Sequence, residues 1–116
     1  MTTALKQHTD LLNERVNKLL DALRNNYANR YAASPYYHRD DLTFEVVPGT
    51  KYLKIVMSDH GSKSVHAFVH RQTGCVYKPA SWKAPAKHAR YQLMDDASYE
   101  ECLRRADWAG GYLYIR

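Results

Sequence analysis

The middle of this sequence carries the residues whose types and spacing are best suited to binding a ligand. Residues 51–91 contain eight lysines and arginines but one acidic residue, Asp59, which gives this stretch a net charge of +7. Such a concentration of positive charge attracts an anion, most often the phosphate backbone of a nucleic acid or an acidic protein surface. The alternative is a solvated basic surface that only keeps the protein soluble.

Cations and a tryptophan are interleaved in the second half of this basic stretch. The cations that recur at intervals of three to five residues around Trp82 are Lys78, Lys83, Lys87 and Arg90. Mobile cations contact phosphates, and an indole ring provides a plane on which a base can stack. The alternative is that Trp82 closes one end of the core while the lysines extend into solvent.

Aromatic residues and cations also alternate on one face of a predicted sheet. Exposed aromatic rings on a sheet can stack unpaired bases while neighbouring lysines contact phosphates. The alternative is that a second helix covers this face and that its aromatic residues form a core. The residues predicted on this face are Tyr52, Lys54, Val56, His66, Phe68, His70, Cys75 and Tyr77.

The remaining reactive side chains do not assemble a catalytic or metal site. On a strand, His66 and His70 would lie about 13 Å apart, too far to bind one ion. Cys75 could lie beside His70 across a hairpin, but no feature indicates a lowered thiol pKa. Cys75 and Cys102 form no C-x-x-C pair and are predicted to be free thiols in a reducing compartment. We therefore expect no metal, no cofactor and no enzymatic activity.

A single domain of the α+β class is predicted to position these residues. The 116 residues suffice for a core without disulfides or metal. Apolar residues from Leu5 to Tyr27 recur at helical spacing, which predicts one amphipathic helix over residues 4–31 within an N-terminal segment 1–34. Residues 42–116 are predicted to form the rest of the domain. No secretory signal or membrane span is predicted.

Four stretches rich in β-branched and aromatic residues predict an antiparallel β-meander at residues 43–47, 51–58, 63–70 and 75–78. Alternation with a period of two decides which residues face the long helix. This assignment requires an odd number of loop residues between the second and third strands. The face that covers the helix is then predicted to contain Leu53, Ile55, Met57, Val65, Ala67 and Val69.

The C-terminal part of the chain predicts one more helix and one more strand. A short helix is predicted over residues 96–107, and the pair Gly110-Gly111 ends it. Residues 112–116 alternate well enough to predict a final strand. An unpaired edge at this strand, or an exposed stripe on the first helix, leaves open a homodimer.

Two stretches of the sequence resemble a pattern found in small, mostly uncharacterised bacteriophage proteins. The first is SVHAFV at residues 64–69 with GCVYKPASWKAPAK at residues 74–87, a GxVYKxASWKxPAK-like motif, and the second is ADWAGGY at residues 106–112. The resemblance covers roughly residues 51–112. It implies a viral protein made in the cytoplasm of a bacterial host, and it implies no particular activity.

These observations lead to two hypotheses about function. In the first, a non-enzymatic protein binds DNA or RNA through residues 51–91, with Phe68 and Trp82 stacking on bases. In the second, a phage inhibitor or adaptor docks the same basic surface on an acidic surface of a host protein. Neither hypothesis involves a membrane. The cations predicted to hold phosphates are Lys54, Lys63, Lys78, Lys83, Lys87 and Arg90.

Overall fold

A long helix packs on one face of a five-stranded antiparallel sheet in the computed structural model, which confirms the α+β prediction. The structure describes residues 3–114, apart from the side chains of Thr3 and Arg39. Within that range, no helix has the length and apolar character needed to cross a membrane. The elements are α1 (Thr3–Tyr31), a 3₁₀ turn (Arg39–Asp41), β1 (Leu42–Pro48), β2 (Tyr52–Asp59), β3 (Ser62–His70), β4 (Cys75–Tyr77), β5 (Tyr91–Gln92), α2 (Asp96–Arg105) and a second 3₁₀ turn (Gly111–Leu113).

The apolar stripe of α1 forms one wall of the core. Leu19 and Leu23 are fully buried, and burying each side chain stabilises the fold by roughly 1.5–3 kcal/mol. The stripe is shorter than predicted at its N-terminal end, where Leu5 is 52% exposed. Fully buried residues of β2, β3 and β4, including Ile55 and Val76, complete this core.

The strands follow one another in the sheet in the order β1-β2-β3-β4-β5, as a meander requires. The fifth strand is not the predicted one, because Tyr91–Gln92 pairs with β4 in its place. The pairing is extended on both sides by backbone hydrogen bonds from Arg90 N to Val76 O and from Leu93 N to Gly74 O. The buried side chain of Leu93 fixes this segment against the core.

The loop between β2 and β3 has two residues, so the odd number that the face assignment requires is not found. His60 and Gly61 both have positive φ, which suits a two-residue hairpin turn. A β-bulge compensates for the even loop, because the register shifts between Ile55 and Val56. Ile55 pairs with Ala67 whereas Val56 pairs with Val65. In β2 the faces agree with the prediction throughout, and Met57 packs against the core together with Leu53 and Ile55. In β3 the faces are exchanged between the bulge and the turn, so Val65 pairs with Val56 on the opposite face.

The residue left over at the bulge is His66, which lies in the core instead of on the predicted aromatic face. Its ring centroid is 5.3 Å from that of Phe44, and its Nε2 atom lies 2.8 Å from the Tyr112 hydroxyl oxygen. Burial lowers the pKa of His66 to about 4, against the smaller opposing effect of the Asp107 carboxylate. The His66 imidazole therefore packs in the core in its neutral form.

The C-terminal strand predicted over residues 112–116 is also wrong. The Asp107 carboxylate accepts hydrogen bonds from the backbone N–H groups of Gly111 and Tyr112, at 3.3 and 3.0 Å, and turns the chain. Tyr112 and Leu113 are consequently buried in a 3₁₀ turn and form no edge for a partner at these positions. Residues 115 and 116 lie outside the described residues.

Candidate nucleic-acid interface

The loop of residues 78–90 lies over the sheet face that points away from α1. Phe68 is paired with Lys54 on one side and with Tyr77 on the other, so these three side chains share that face. The Lys54 ammonium nitrogen lies 5.8 Å from the centre of the Phe68 ring and 4.7 Å from the centre of the Trp82 ring. The loop therefore contacts the sheet through Trp82.

Helix α2 does not cover this face, contrary to the alternative that the sequence left open. It packs on the same side as α1, where the Arg15 guanidinium lies 4.4 Å from the centre of the Tyr99 ring. Arg15 also forms an ion pair of 2.6 Å with Asp96 at the start of α2. The face that carries Lys54 is thus left to the loop.

Backbone and serine hydrogen bonds fix the tip of the loop. Pro79 and Pro85 form an isolated antiparallel bridge, and the N–H groups of Ala80 and Ser81 both donate to Ala84 O, at 3.0 and 3.1 Å. The Ser81 hydroxyl oxygen accepts from the N–H groups of Lys83 and Ala84, at 3.3 and 3.2 Å. The backbone on both sides of Trp82 is therefore held in place.

Trp82 stands at this tip with 49% of its surface exposed, so it does not close the end of the core. The Lys54 ammonium over its ring contributes roughly 0.5–1 kcal/mol by a cation–π interaction and restricts the ring's orientation. An ordered, half-exposed indole next to a cation can stack on a planar ligand that carries negative charge.

Two of the predicted contact residues are committed to the fold. Phe68 is only 2% exposed, so it offers no ring face to a base, contrary to the prediction. Arg90 donates from Nε to Leu113 O at 2.8 Å and from Nη1 to the carbonyl oxygens of Lys87 and His88. These hydrogen bonds hold the loop against the C-terminal turn. The sequence predicted a phosphate contact for Arg90, and its guanidinium is used for these bonds instead.

The remaining predicted cations differ in their surroundings. Lys83 and Lys87 are exposed, and within residues 3–114 neither has an acidic partner. Lys63 is exposed but forms a 3.5 Å ion pair with Glu45. The Lys78 ammonium lies 4.3 Å from the centre of the exposed Tyr114 ring. The strongest unbalanced charge is thus at Lys83 and Lys87.

The structure adds Lys51, which the predicted set of contact residues omitted. This residue directly precedes β2. A groove of about 330 Å³ between the β1–β2 turn and the loop is lined by Lys51, Lys54 and Lys83. The position of Lys51 in the basic stretch was visible in the sequence, but the groove that it shares with Lys54 and Lys83 was not.

The match to a family model covers nearly the whole chain. The model describes a family of unknown function, DUF7717, and it matches residues 2–115. The chain belongs to DUF7717. No curated protein and no solved structure matches the chain. The DUF7717 match includes α1, whereas the resemblance noted above begins near residue 51.

In this DUF7717 protein, Cys75, Cys102 and His70 are buried or hydrogen-bonded within the fold. Burial raises the pKa of the Cys102 thiol to about 12, which keeps it protonated. The Cys75 sulfur lies 3.4 Å from the Gln92 amide nitrogen, and His70 Nδ1 accepts from the N–H groups of Gln72 and Thr73. Among residues 3–114, no three histidine, cysteine or acidic side chains are grouped to hold a metal ion.

Proposed function

We propose that this protein binds nucleic acid without catalysing a reaction, through a surface formed by Lys51, Lys54, Trp82, Lys83 and Lys87, here termed the Trp82 surface. The observation that carries the proposal is the half-exposed indole of Trp82, held under one ammonium group and followed by two exposed lysines. No acidic residue occurs from residue 60 to residue 94. Phosphates are attracted to such a surface, and a base can stack on the indole.

The flanking cations belong to the same field but contribute less. Lys78 lies against Tyr114, and Lys63 is partly neutralised by Glu45. Exposed charges separated by more than about 8–10 Å are screened at physiological salt. The contribution of Lys63 and Lys78 to binding should therefore be smaller than that of Lys83 and Lys87.

We also propose that the protein is of bacteriophage origin and acts in the cytoplasm of the bacterial host. The support is the resemblance of residues 64–69, 74–87 and 106–112 to phage proteins. Expression of the protein from its native promoter during phage infection would support this proposal, and a chromosomal locus without neighbouring phage genes would contradict it.

Direct titration tests nucleic-acid binding. Fluorescence anisotropy of labelled single-stranded DNA, duplex DNA and RNA would be followed with added protein at about 50 and about 200 mM salt. We expect micromolar or tighter binding at the lower salt and a steep loss of affinity at the higher one, because bound lysines release counterions from the phosphates.

Absence of binding to every probe at about 50 mM salt would contradict the proposal. That result would favour the second hypothesis, in which the Trp82 surface docks on an acidic surface of a host protein. Binding that does not depend on salt would also contradict it, since contacts between lysines and phosphates are weakened by salt.

A further inference from the structure

We infer that the Trp82 surface binds unpaired nucleotides, so that its ligand is single-stranded nucleic acid. This inference rests on the proposed function and specifies its substrate class. The observations behind it are the exposed ring of Trp82, the adjoining groove and the irregular backbone that carries the lysines.

The groove lined by Lys54 and Lys83, the two lysines next to Trp82, has the size and lining expected for part of one strand. Its volume of about 330 Å³ lies near the lower end of the range for pockets that bind small organic ligands. Its lining combines the half-buried Tyr52 with the cations Lys51, Lys54 and Lys83, whereas Phe68 is almost fully buried there. An aromatic side chain among cations suits a base whose phosphates lie toward the lysines.

A cation on the indole favours a single stacking position. The Lys54 ammonium lies 4.7 Å from the ring centre, so one region of the indole is already occupied. Lys54 is therefore a positioning residue for Trp82, and it also lines the groove. The exposed remainder of the ring can stack on one base.

Bases in a duplex are stacked on each other and expose only their edges in the grooves. Their faces are open to an aromatic ring only in single strands, loops or ends. The major groove of DNA accepts a helix or a two-stranded ribbon, whereas Lys83 and Lys87 lie on a loop without either element. The geometry therefore favours a single strand over a duplex.

The test compares affinities for a thymidine or uridine strand of about ten nucleotides, which cannot pair with itself, and a duplex of the same length. We expect the single strands to bind at least about tenfold more tightly than the duplex. Trp82→Ala should lower single-strand affinity about tenfold and leave duplex affinity nearly unchanged. Trp82→Phe should restore most of the loss, since phenylalanine retains a stacking face.

A second measurement uses the intrinsic fluorescence of the protein. The thymidine strand should quench tryptophan emission in the parent and in Trp108→Phe, but not in Trp82→Phe. Equal affinities for strand and duplex, with equal losses in Trp82→Ala, would overturn this inference while leaving nucleic-acid binding intact. A preference for single strands that Trp82→Ala does not alter would overturn the role of Trp82. Absence of binding to all probes would overturn the proposed function as well.

Discussion

The two tryptophans of this chain have contrasting surroundings. The Trp108 ring packs edge-on against Tyr27 and Tyr31 of α1, with ring centroids 5.4 and 5.8 Å away, and the backbone N–H group of Trp108 donates to the Asn26 side-chain oxygen. Trp82 is half-exposed, and the Lys54 ammonium lies over its ring. One indole joins helix to C-terminal turn, and the other is displayed on a basic loop.

This difference shows that residue type alone does not separate a structural role from a binding role. Both tryptophans lie within the DUF7717 match. What distinguishes them is the neighbourhood. Trp108 follows Asp107, whose carboxylate holds the final turn, while Trp82 precedes Lys83 in a stretch without acidic residues.

The largest effect should come from replacing each of the two tryptophans by alanine in turn. Trp108→Ala should lower the free energy of unfolding by about 3 kcal/mol, the low end for tryptophan because the ring is partly exposed. Trp82→Ala should lower it by less than about 1 kcal/mol. Urea unfolding of both variants would measure the contrast. Equal losses would mean that Trp82 is also part of the core.

The buried His66 extends the comparison to pH. Its pKa of about 4 in the folded state lies below the ordinary value of 6.5, so the fold favours the neutral imidazole. This contribution is complete above pH 6.5 and is lost as the pH falls from 6.5 through 4. By pH 5 the stability should have fallen by about 2 kcal/mol.

Urea unfolding between pH 8 and pH 5 would check this dependence. His66→Gln should remove most of it. The matched control is His60→Asn, because His60 is exposed with a φ of 51° that asparagine tolerates. Its pKa is raised by the Asp59 hydrogen bond, so its own effect has the opposite sign. An unchanged dependence in His66→Gln would contradict the assignment.

A smaller effect should follow from removing the cation over Trp82. Lys54→Met keeps the length of the side chain but removes its charge, and should lower the free energy of unfolding by roughly 0.5–1 kcal/mol. Tryptophan emission should shift as the ring environment changes. The control is Lys51→Met, because the Lys51 ammonium lies near the Tyr52 ring, 5.6 Å from its centre, and not near Trp82. The same shift in both variants would argue against a specific contact between Lys54 and Trp82.

The long helix and the meander could be predicted from the sequence because their signals are periodic and local. The bulge at His66 could not be predicted, because the register set by the two-residue turn differs by one residue from the register of the other end of the hairpin. The alternation of residue types in the final turn predicts a strand. The Asp107 hydrogen bonds that bend the backbone there cannot be seen in the sequence.

The sequence predicts a basic surface over residues 51–91, but not which of its side chains are exposed together. Lys83, Lys87 and Trp82 were visible because they are close in sequence. The burial of Phe68 and the bonds of Arg90 to three carbonyl groups depend on how the loop folds over the sheet. Tertiary contacts of this kind leave no periodic signal in the sequence.

The most direct test of nucleic-acid binding by the Trp82 surface is a comparison of two charge reversals. Lys83→Glu with Lys87→Glu, and Lys6→Glu with Lys18→Glu on α1, both change the formal net charge from +5 to +1. All four lysines are exposed. For a labelled single strand, the Lys83→Glu, Lys87→Glu variant should lose at least about tenfold in affinity. The slope of its log affinity against log salt concentration should be smaller in magnitude by about 1.4. The Lys6→Glu, Lys18→Glu variant should bind nearly as the parent does. Equal losses in both pairs would show that net charge alone attracts the strand, and would contradict a binding site at the Trp82 surface.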